Sequence, residues 1–204
     1  LTPWMMEMLA ESMEEAGLAV LEVKEDAMTS WTQFYKNVPM ALIAFVLLQS
    51  NIFTKEYQSG TLILALTKGL ERYKVVLAKS IVLISTWTAG YWLCYGVTYV
   101  YNAYFWDNSI AKYLGTAAVY WWLTGIWTIA LMMLFSVAGN SSSTVLLGTG
   151  GVFFAVYLAS LIPKLKEYMP TELMGGMNIL MGVSEPGDYT KVLVVTVATM
   201  VACF

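Results

Sequence analysis

The sequence predicts an all-α membrane protein, and three observations support that fold class. Hydrophobic residues make up 58% of the 204 residues and charged residues only 12%, which is about half the share usual in a soluble domain. The apolar runs are long and continuous, unlike the alternating segments of roughly ten residues that form transmembrane β-strands. Because lipid offers no hydrogen-bond partner to bare backbone amides, helices are the expected spanning elements.

Five apolar runs are predicted to be membrane spans, since a helix needs roughly 20 residues to cross the hydrocarbon core. They cover approximately residues 31–53, 75–104, 110–137, 144–162 and 190–204. The chain begins at Leu1 without an initiator methionine, and the fifth run is cut off at Phe204. We therefore expect a fragment of a polytopic protein, one transmembrane domain over residues 1–204 that shows about five of six spans.

Basic residues are concentrated in one short loop, at residues 54–79. This loop carries five basic and two acidic residues, whereas the segments expected on the other side carry six lysines and twelve acids. Because basic loops stay on the inner side, we predict that the loop is cytoplasmic. Residues 1–30 are then extracellular, and residues 163–189 are extracellular or re-entrant. With a span before Leu1, both termini of a multi-pass cell-membrane protein would be cytoplasmic.

The first residues predict a helix that lies on the outer membrane surface or packs on the bundle. Thr2 suits an N-cap, Pro3 suits the first helical position, and Gly17 suits the C-terminal end. Trp4, leucine and several methionines fall near one face, with glutamates largely opposite.

The segment before the fifth run is rich in methionine and glycine and too broken to span. It predicts short re-entrant or interfacial helices. Pro170, Thr171 and Glu172 indicate a turn into a brief helix through Met174, which Gly175 and Gly176 are expected to end.

The basic loop predicts a short helix parallel to the membrane. Leu62, Ile63, Leu66 and Leu70 recur at helical spacing after Gly60. Lys68 and Gly69 break this pattern, and Gly69 suits a C-terminal cap. Glu71 then suits the positive N-terminal end of the next helix, where Lys79 can snorkel to the interface. Such a helix could transmit force from a soluble partner; the alternative is a loop anchored to anionic headgroups.

The loop resembles the first cytoplasmic loop of ABC-2 type permeases, the membrane subunits of bacterial ATP-binding-cassette (ABC) exporters. The match is close over residues 55–80, and the expected six-span layout with a broken outer segment extends it over most of the chain. Many family members have proline near the position of Lys68, which this sequence lacks. The matching residues are Glu56, Gly60, Thr61, Leu66, Lys68, Gly69, Leu70, Arg72, Lys74 and Lys79.

The resemblance implies a coupling helix that docks on a separate cytoplasmic ABC ATPase. ATP and magnesium would bind that partner, so this chain is expected to hold no cofactor and to be no enzyme itself. Two permease subunits would pair as a homodimer or heterodimer in the bilayer and export a substrate that the sequence does not identify. Nucleic acid is not an expected partner. The residues expected at the coupling site are Glu56, Tyr57, Gly60, Thr61, Leu66, Lys68, Gly69, Arg72, Lys74 and Lys79.

Several alternatives remain open: a secondary transporter, a membrane enzyme, or a non-transporting scaffold or sensor subunit. The chain has no histidine, which excludes histidine-based acid–base catalysis and the usual zinc sites, and no metal site is predicted. No acid lies deep in an apolar run, although proton-coupled transport usually needs one.

Three further features of the apolar runs have an expected role. Trp87, Tyr91, Tyr95 and Tyr99 recur every four residues on one helix face, which fits either a path for an amphipathic or aromatic substrate or ordinary packing. The glycine-rich run at residues 148–151 lacks the GK[ST] of a phosphate loop and indicates close helix packing. The two cysteines, at 94 and 203, are expected to be small buried hydrophobes.

Overall fold

The described part of the chain is entirely helical. The computed structural model describes residues 26–50, 71–139 and 141–203, together with Trp4 and Met8. No strand occurs in these ranges, so the all-α fold class is confirmed for them. Trp4 and Met8 are both helical and exposed, and the remainder of the predicted N-terminal helix lies outside the described residues.

Seven α-helices and three 3₁₀ turns are present in the described ranges. The helices are α1 (Ala27–Gln49), α2 (Arg72–Phe105), α3 (Leu114–Ala138), α4 (Ser142–Ser160), α5 (Pro163–Lys166), α6 (Gly176–Leu180) and α7 (Thr190–Cys203). The 3₁₀ turns are Asn108–Ile110, Pro170–Gly175 and Pro186–Tyr189.

Three of these helices are long and apolar enough to cross a membrane, judged by length and composition. They are α2 from Tyr73 onward, α3 and α4, and they coincide with the predicted second, third and fourth spans. The predicted first and fifth spans coincide with α1, of 23 residues, and α7, of 14 described residues. The total number of spans and their orientation stay predictions.

The starts of α1 and α2 follow from the residues that cap them. The Asp26 carboxylate accepts a hydrogen bond of 2.9 Å from the Thr29 backbone N–H, which satisfies a donor that the helix itself leaves unpaired. Glu71 is the N-cap of α2 in an extended conformation, and its carboxylate pairs with the Lys74 ammonium at 2.9 Å. The predicted helix start at Glu71 is therefore confirmed.

The long helices run up and down around α3, which contacts α1, α2, α4 and α7. Antiparallel pairing of α2 with α3 follows from two contacts: the Tyr91 hydroxyl bonds to the Ala118 carbonyl, and Ser80 lies against Met133. The side chain of Phe135 lies against Gly148, so α4 returns antiparallel to α3. Helix α7 runs parallel to α3, where the Trp127 indole N–H bonds to Thr199.

This arrangement sorts the connections to two ends of the bundle. One end, here called the loop end, holds the end of α1, the start of α2 and the turn between α3 and α4. The other end, here called the segment end, holds the start of α1, the Asn108–Ile110 turn and residues 163–189. Two hydrogen bonds hold that segment against α3 and the turn before it: the Lys112 N–H donates to the Leu180 carbonyl at 3.2 Å, and the Tyr120 hydroxyl of α3 donates to the Pro186 carbonyl at 3.1 Å.

Residues 163–189 form short helices, as predicted, but one boundary differs. The predicted brief helix ends at Gly175, as a 3₁₀ turn over Pro170–Gly175, but Gly176, which was expected to stop it too, begins α6. Leu173, Ile179 and Leu180 are fully buried. Burial of these three side chains stabilises the fold of the segment on both sides of Gly175 and Gly176.

The structure also bears on the predictions for the glycine-rich run and for the two cysteines. Gly148 is in close contact with the Phe135 ring, whereas Gly150 and Gly151 face open space, so one glycine of the run serves close helix packing. The expectation that both cysteines are buried is wrong. Cys94 is exposed and Cys203 is half-buried, and both are free thiols.

Candidate functional site

The coupling residues predicted from sequence are only partly visible. Arg72 begins α2, and Lys74 and Lys79 lie in its first turns. The Lys74 ammonium holds the pKa of the exposed Glu71 carboxyl below its usual value, through a direct hydrogen bond. Residues that lie outside the described ranges are Glu56, Tyr57, Gly60, Thr61, Leu66, Lys68 and Gly69.

An open groove of about 990 Å³ lies between α1 and α2. It extends from Asp26 at the segment end to Phe45 and Thr86, well toward the loop end. Its volume is that of a site for a drug-sized molecule. The lining residues are Asp26, Thr29, Ser30, Gln33, Phe34, Asn37, Val38, Ala41, Phe45, Thr86, Trp87, Gly90, Tyr91, Cys94, Thr98, Tyr101 and Trp106.

Aromatic rings form the apolar wall of the groove. Phe45 packs edge-on against Trp87, with ring centroids 5.5 Å apart. Phe34 lies 6.2 Å from Tyr91, and the Trp87 and Tyr91 rings are stacked at 5.8 Å. Contacts of this kind hold aromatic side chains in fixed orientations, so the wall is a defined surface.

The polar side of the groove comes from α1. Asp26, Ser30, Gln33 and Asn37 are spaced four, three and four residues apart, which places them on one helix face. All four line the groove, and Gln33 and Asn37 are exposed. Asp26 is the one charged side chain among the described lining residues. The groove is therefore amphipathic, with uncharged polar groups along most of its length.

Only two of the four residues of the predicted aromatic path line the groove. Trp87 and Tyr91 line the groove, whereas Tyr95 and Tyr99 are not among its lining residues. Tyr95 packs at 5.2 Å from Trp31 and stacks on Tyr99 at 6.3 Å. Tyr95 and Tyr99 thus contact each other, and Tyr95 contacts Trp31, outside the groove.

Small residues provide the open space that the sequence analysis did not identify. Gly90, Cys94 and Thr98 follow one another at intervals of four on α2 and all line the groove. Together with Trp87 and Tyr91 they make one wall in which large rings alternate with gaps. The spacing of these small side chains is visible in the sequence, but it marks a groove only once α1 is known to pack beside α2.

The apolar wall of the groove is held against α3 by hydrogen bonds. The Tyr91 hydroxyl donates to the Ala118 carbonyl at 2.8 Å. The Trp87 indole N–H donates to the Trp122 carbonyl at 3.2 Å. Both side chains are almost fully buried, so their exposed ring edges are fixed by contacts on the far side.

The turn at residues 107–110 directly follows the lining residue Trp106 at the segment end and is here called the rim; a second set of bonds fixes it. The Trp31 indole N–H donates to the Asn108 side-chain carbonyl at 3.0 Å, and the Asn108 amide donates to the Tyr99 carbonyl at 3.1 Å. Next in the chain, Ser109 donates to the Asp107 carboxylate from its hydroxyl and its backbone N–H. These bonds lower the pKa of Asp107 below its usual value, so the rim keeps a negative charge.

Behind the groove lies a pair of buried polar atoms without partners in the described residues. The Tyr35 hydroxyl and the Trp121 indole N–H are both unpaired there, although their rings stack at 6.3 Å. An unpaired buried polar group costs about 1–3 kcal/mol. Buried water usually supplies such bonds where space permits.

The described residues contain no group of three or more cysteine, aspartate or glutamate side chains that could hold a metal ion. Comparisons with protein-family models, with curated proteins and with solved structures found no match. The class that fold and composition define is an α-helical membrane protein, with three helices fit to span a bilayer. Its visible site is an amphipathic groove suited to binding.

Proposed function

We propose that the chain is the transmembrane permease subunit of an ABC exporter, driven by a separate cytoplasmic ATPase. One observation carries the proposal: residues 55–80 resemble the coupling loop of ABC-2 type permeases. The protein would act with a second permease subunit in the cell membrane. ATP binding to the partner would shift the permease between inward-open and outward-open states.

The helical layout supports the proposal. The end of α1 at Gln49 and the start of α2 at Arg72 lie at the loop end, and the broken segment lies at the opposite end of the bundle. A coupling element at one end and an outer segment at the other are what an exporter of this family requires. The groove between α1 and α2 then offers a place for the substrate.

Co-purification of the full-length protein with its candidate ATPase tests the proposal. The wild-type protein should form a stable complex in detergent, and Leu66→Glu should weaken it because a charge would disrupt the apolar face of the coupling helix. Leu165→Glu is the matched control, since Leu165 is an exposed leucine at the segment end. Arg72→Glu should also weaken the association. Absence of a complex with any such ATPase would contradict the proposal and favour the alternative that residues 54–79 anchor the chain to anionic headgroups.

The proposed orientation has six spans in the full-length protein, with the loop end and both termini in the cytoplasm. Single cysteines at two exposed lysines test it in a background that carries Cys94→Ser and Cys203→Ser. A membrane-impermeant maleimide applied to intact cells should label Lys164→Cys at the segment end and spare Lys74→Cys near the loop end. Labelling of Lys74→Cys alone would show that the protein has the opposite orientation.

A further inference from the structure

The groove between α1 and α2 has the size and shape of a ligand site. Its volume of about 990 Å³ lies near the top of the range of roughly 300–1,000 Å³ that drug-sized ligands occupy. The wall on α2 offers the edges of Trp87 and Tyr91, whose other edges are bonded to α3. A ligand with an apolar body would therefore meet a surface that is already ordered.

The charges of the lining select among such ligands. Asp26 is the one charged side chain of the described lining residues, and no lysine or arginine is among them. The Asp26 carboxylate has one oxygen occupied by Thr29, which donates to Oδ1 from its backbone N–H and its hydroxyl. An anionic ligand would find no basic partner among these lining residues, whereas a cationic one would find a carboxylate.

The aromatic lining favours the same sign of charge. A cation is attracted to the electron-rich face of an aromatic ring, most strongly to tryptophan. Trp106 lines the groove at the segment end, the end that holds Asp26, and it directly precedes the ionised Asp107 of the rim. The Asp26 carboxylate, the Trp106 ring and the ionised Asp107 all favour a cation over an anion.

From this geometry we propose that the groove binds an amphipathic organic cation, with its apolar body against Trp87 and Tyr91 and its positive charge toward Asp26. As the identity of a transported substrate, this inference rests on the proposed function. As a binding site, it stands on the groove itself.

Cys94 is a built-in reporter for the site because it is exposed and lines the groove. In a full-length protein in which Cys203 and any cysteine outside residues 1–204 are replaced by serine, the rate at which uncharged N-ethylmaleimide modifies Cys94 would be measured in detergent. Tetraphenylphosphonium and tetraphenylborate serve as competing probes, since they share size and shape and differ in the sign of charge. At about ten times its Kd, a bound probe should slow the modification about tenfold.

The expected result is protection by tetraphenylphosphonium and none by tetraphenylborate. Asp26→Asn should raise the Kd of the cation about fivefold, the size of one close charge contact in water, so protection at the same concentration should fall from about tenfold to about threefold. Asparagine is as good an N-cap as aspartate, so this variant should keep α1 intact. Glu167→Gln, at an exposed acid of the segment end outside the groove, is the matched control and should leave protection unchanged.

A second reporter separates binding in the groove from general effects on the micelle. Cys94→Ser leaves Cys203, which is not among the lining residues, and its modification should not respond to either probe. Equal protection of Cys94 by both probes would overturn the assignment of charge, and protection by neither would overturn the site. None of these measurements involves an ATPase, so failure of the permease proposal would appear separately, as absence of the complex.

Discussion

The indole of Trp87 lies directly against Gly125 of α3, in the space that any side chain at that position would occupy. The close approach lets the indole N–H reach the Trp122 carbonyl at 3.2 Å. Trp87 is at the same time a lining residue of the groove. Because Gly125 has no side chain, the Trp87 ring can approach α3, and this position sets the depth of the groove beside it.

Gly125→Ala is expected to destabilise the protein by about 1–3 kcal/mol, because the added methyl group would force the buried indole out of its position. For a protein of this size the melting temperature in detergent should fall by roughly 2–4 °C for each kcal/mol. The measurement is thermal unfolding followed by tryptophan fluorescence.

Gly150→Ala is the matched control for that variant. Gly150 also lies inside a long helix, but a Cβ there would meet nothing within 4 Å. Its melting temperature should stay the same or rise slightly, since alanine favours a helix over glycine. Equal losses at Gly125 and Gly150 would mean that contact with Trp87 is not the cause.

The bond between Trp31 and Asn108 should couple α1 to the rim across 77 positions of the chain. Trp31→Phe and Asn108→Ala each remove it, and the double variant should lose less than the sum of the two. We expect a coupling energy of about 0.5–1.5 kcal/mol, as found for hydrogen bonds in membrane and soluble proteins. Strict additivity in a double-mutant cycle would show that the bond contributes nothing.

Two acids of the segment at residues 163–189 should affect stability in opposite directions as pH changes. Partial burial raises the pKa of Glu172 above its ordinary value of 4.5, so the folded protein holds that proton more tightly. Its contribution is present below pH 4.5 and is lost as pH rises through the raised pKa. The difference in melting temperature between wild type and Glu172→Gln should therefore fall over that interval.

Glu167 provides the opposite case. The Lys191 ammonium, 2.7 Å away, lowers the pKa of this exposed carboxyl below 4.5. Its contribution is present above pH 4.5 and is lost as pH falls through the lowered pKa. The difference between wild type and Glu167→Gln should then rise with pH. Parallel curves for the two variants would contradict the assigned causes.

Much of the fold follows from apolar length and end residues. The long runs match α2, α3 and α4, and the start of α2 at Glu71 follows from its acid and the preceding glycine. These properties depend on residues close in the chain, which is why a single sequence shows them. A helix that begins directly at Gly176 was not foreseen, because its stability comes from buried Ile179 and Leu180, a tertiary effect.

The groove was predicted only through its rings. Trp87 and Tyr91 were named as a candidate path, but the spacing of Gly90, Cys94 and Thr98 was not used. A small residue makes space only when a second helix passes beside it, and the partner of α2 is not encoded in α2 itself. The polar face of α1, from Asp26 to Asn37, was missed for the same reason.

Helix α2 continues without interruption for 34 residues from Arg72 to Phe105 and contains no proline. At 1.5 Å of rise per residue it is about 50 Å long, well beyond the roughly 30 Å of a hydrocarbon core. Its two termini lie at opposite ends of the bundle. If a rod of this length tilts by about 5° about its Arg72 end, the Phe105 end is displaced by roughly 4 Å.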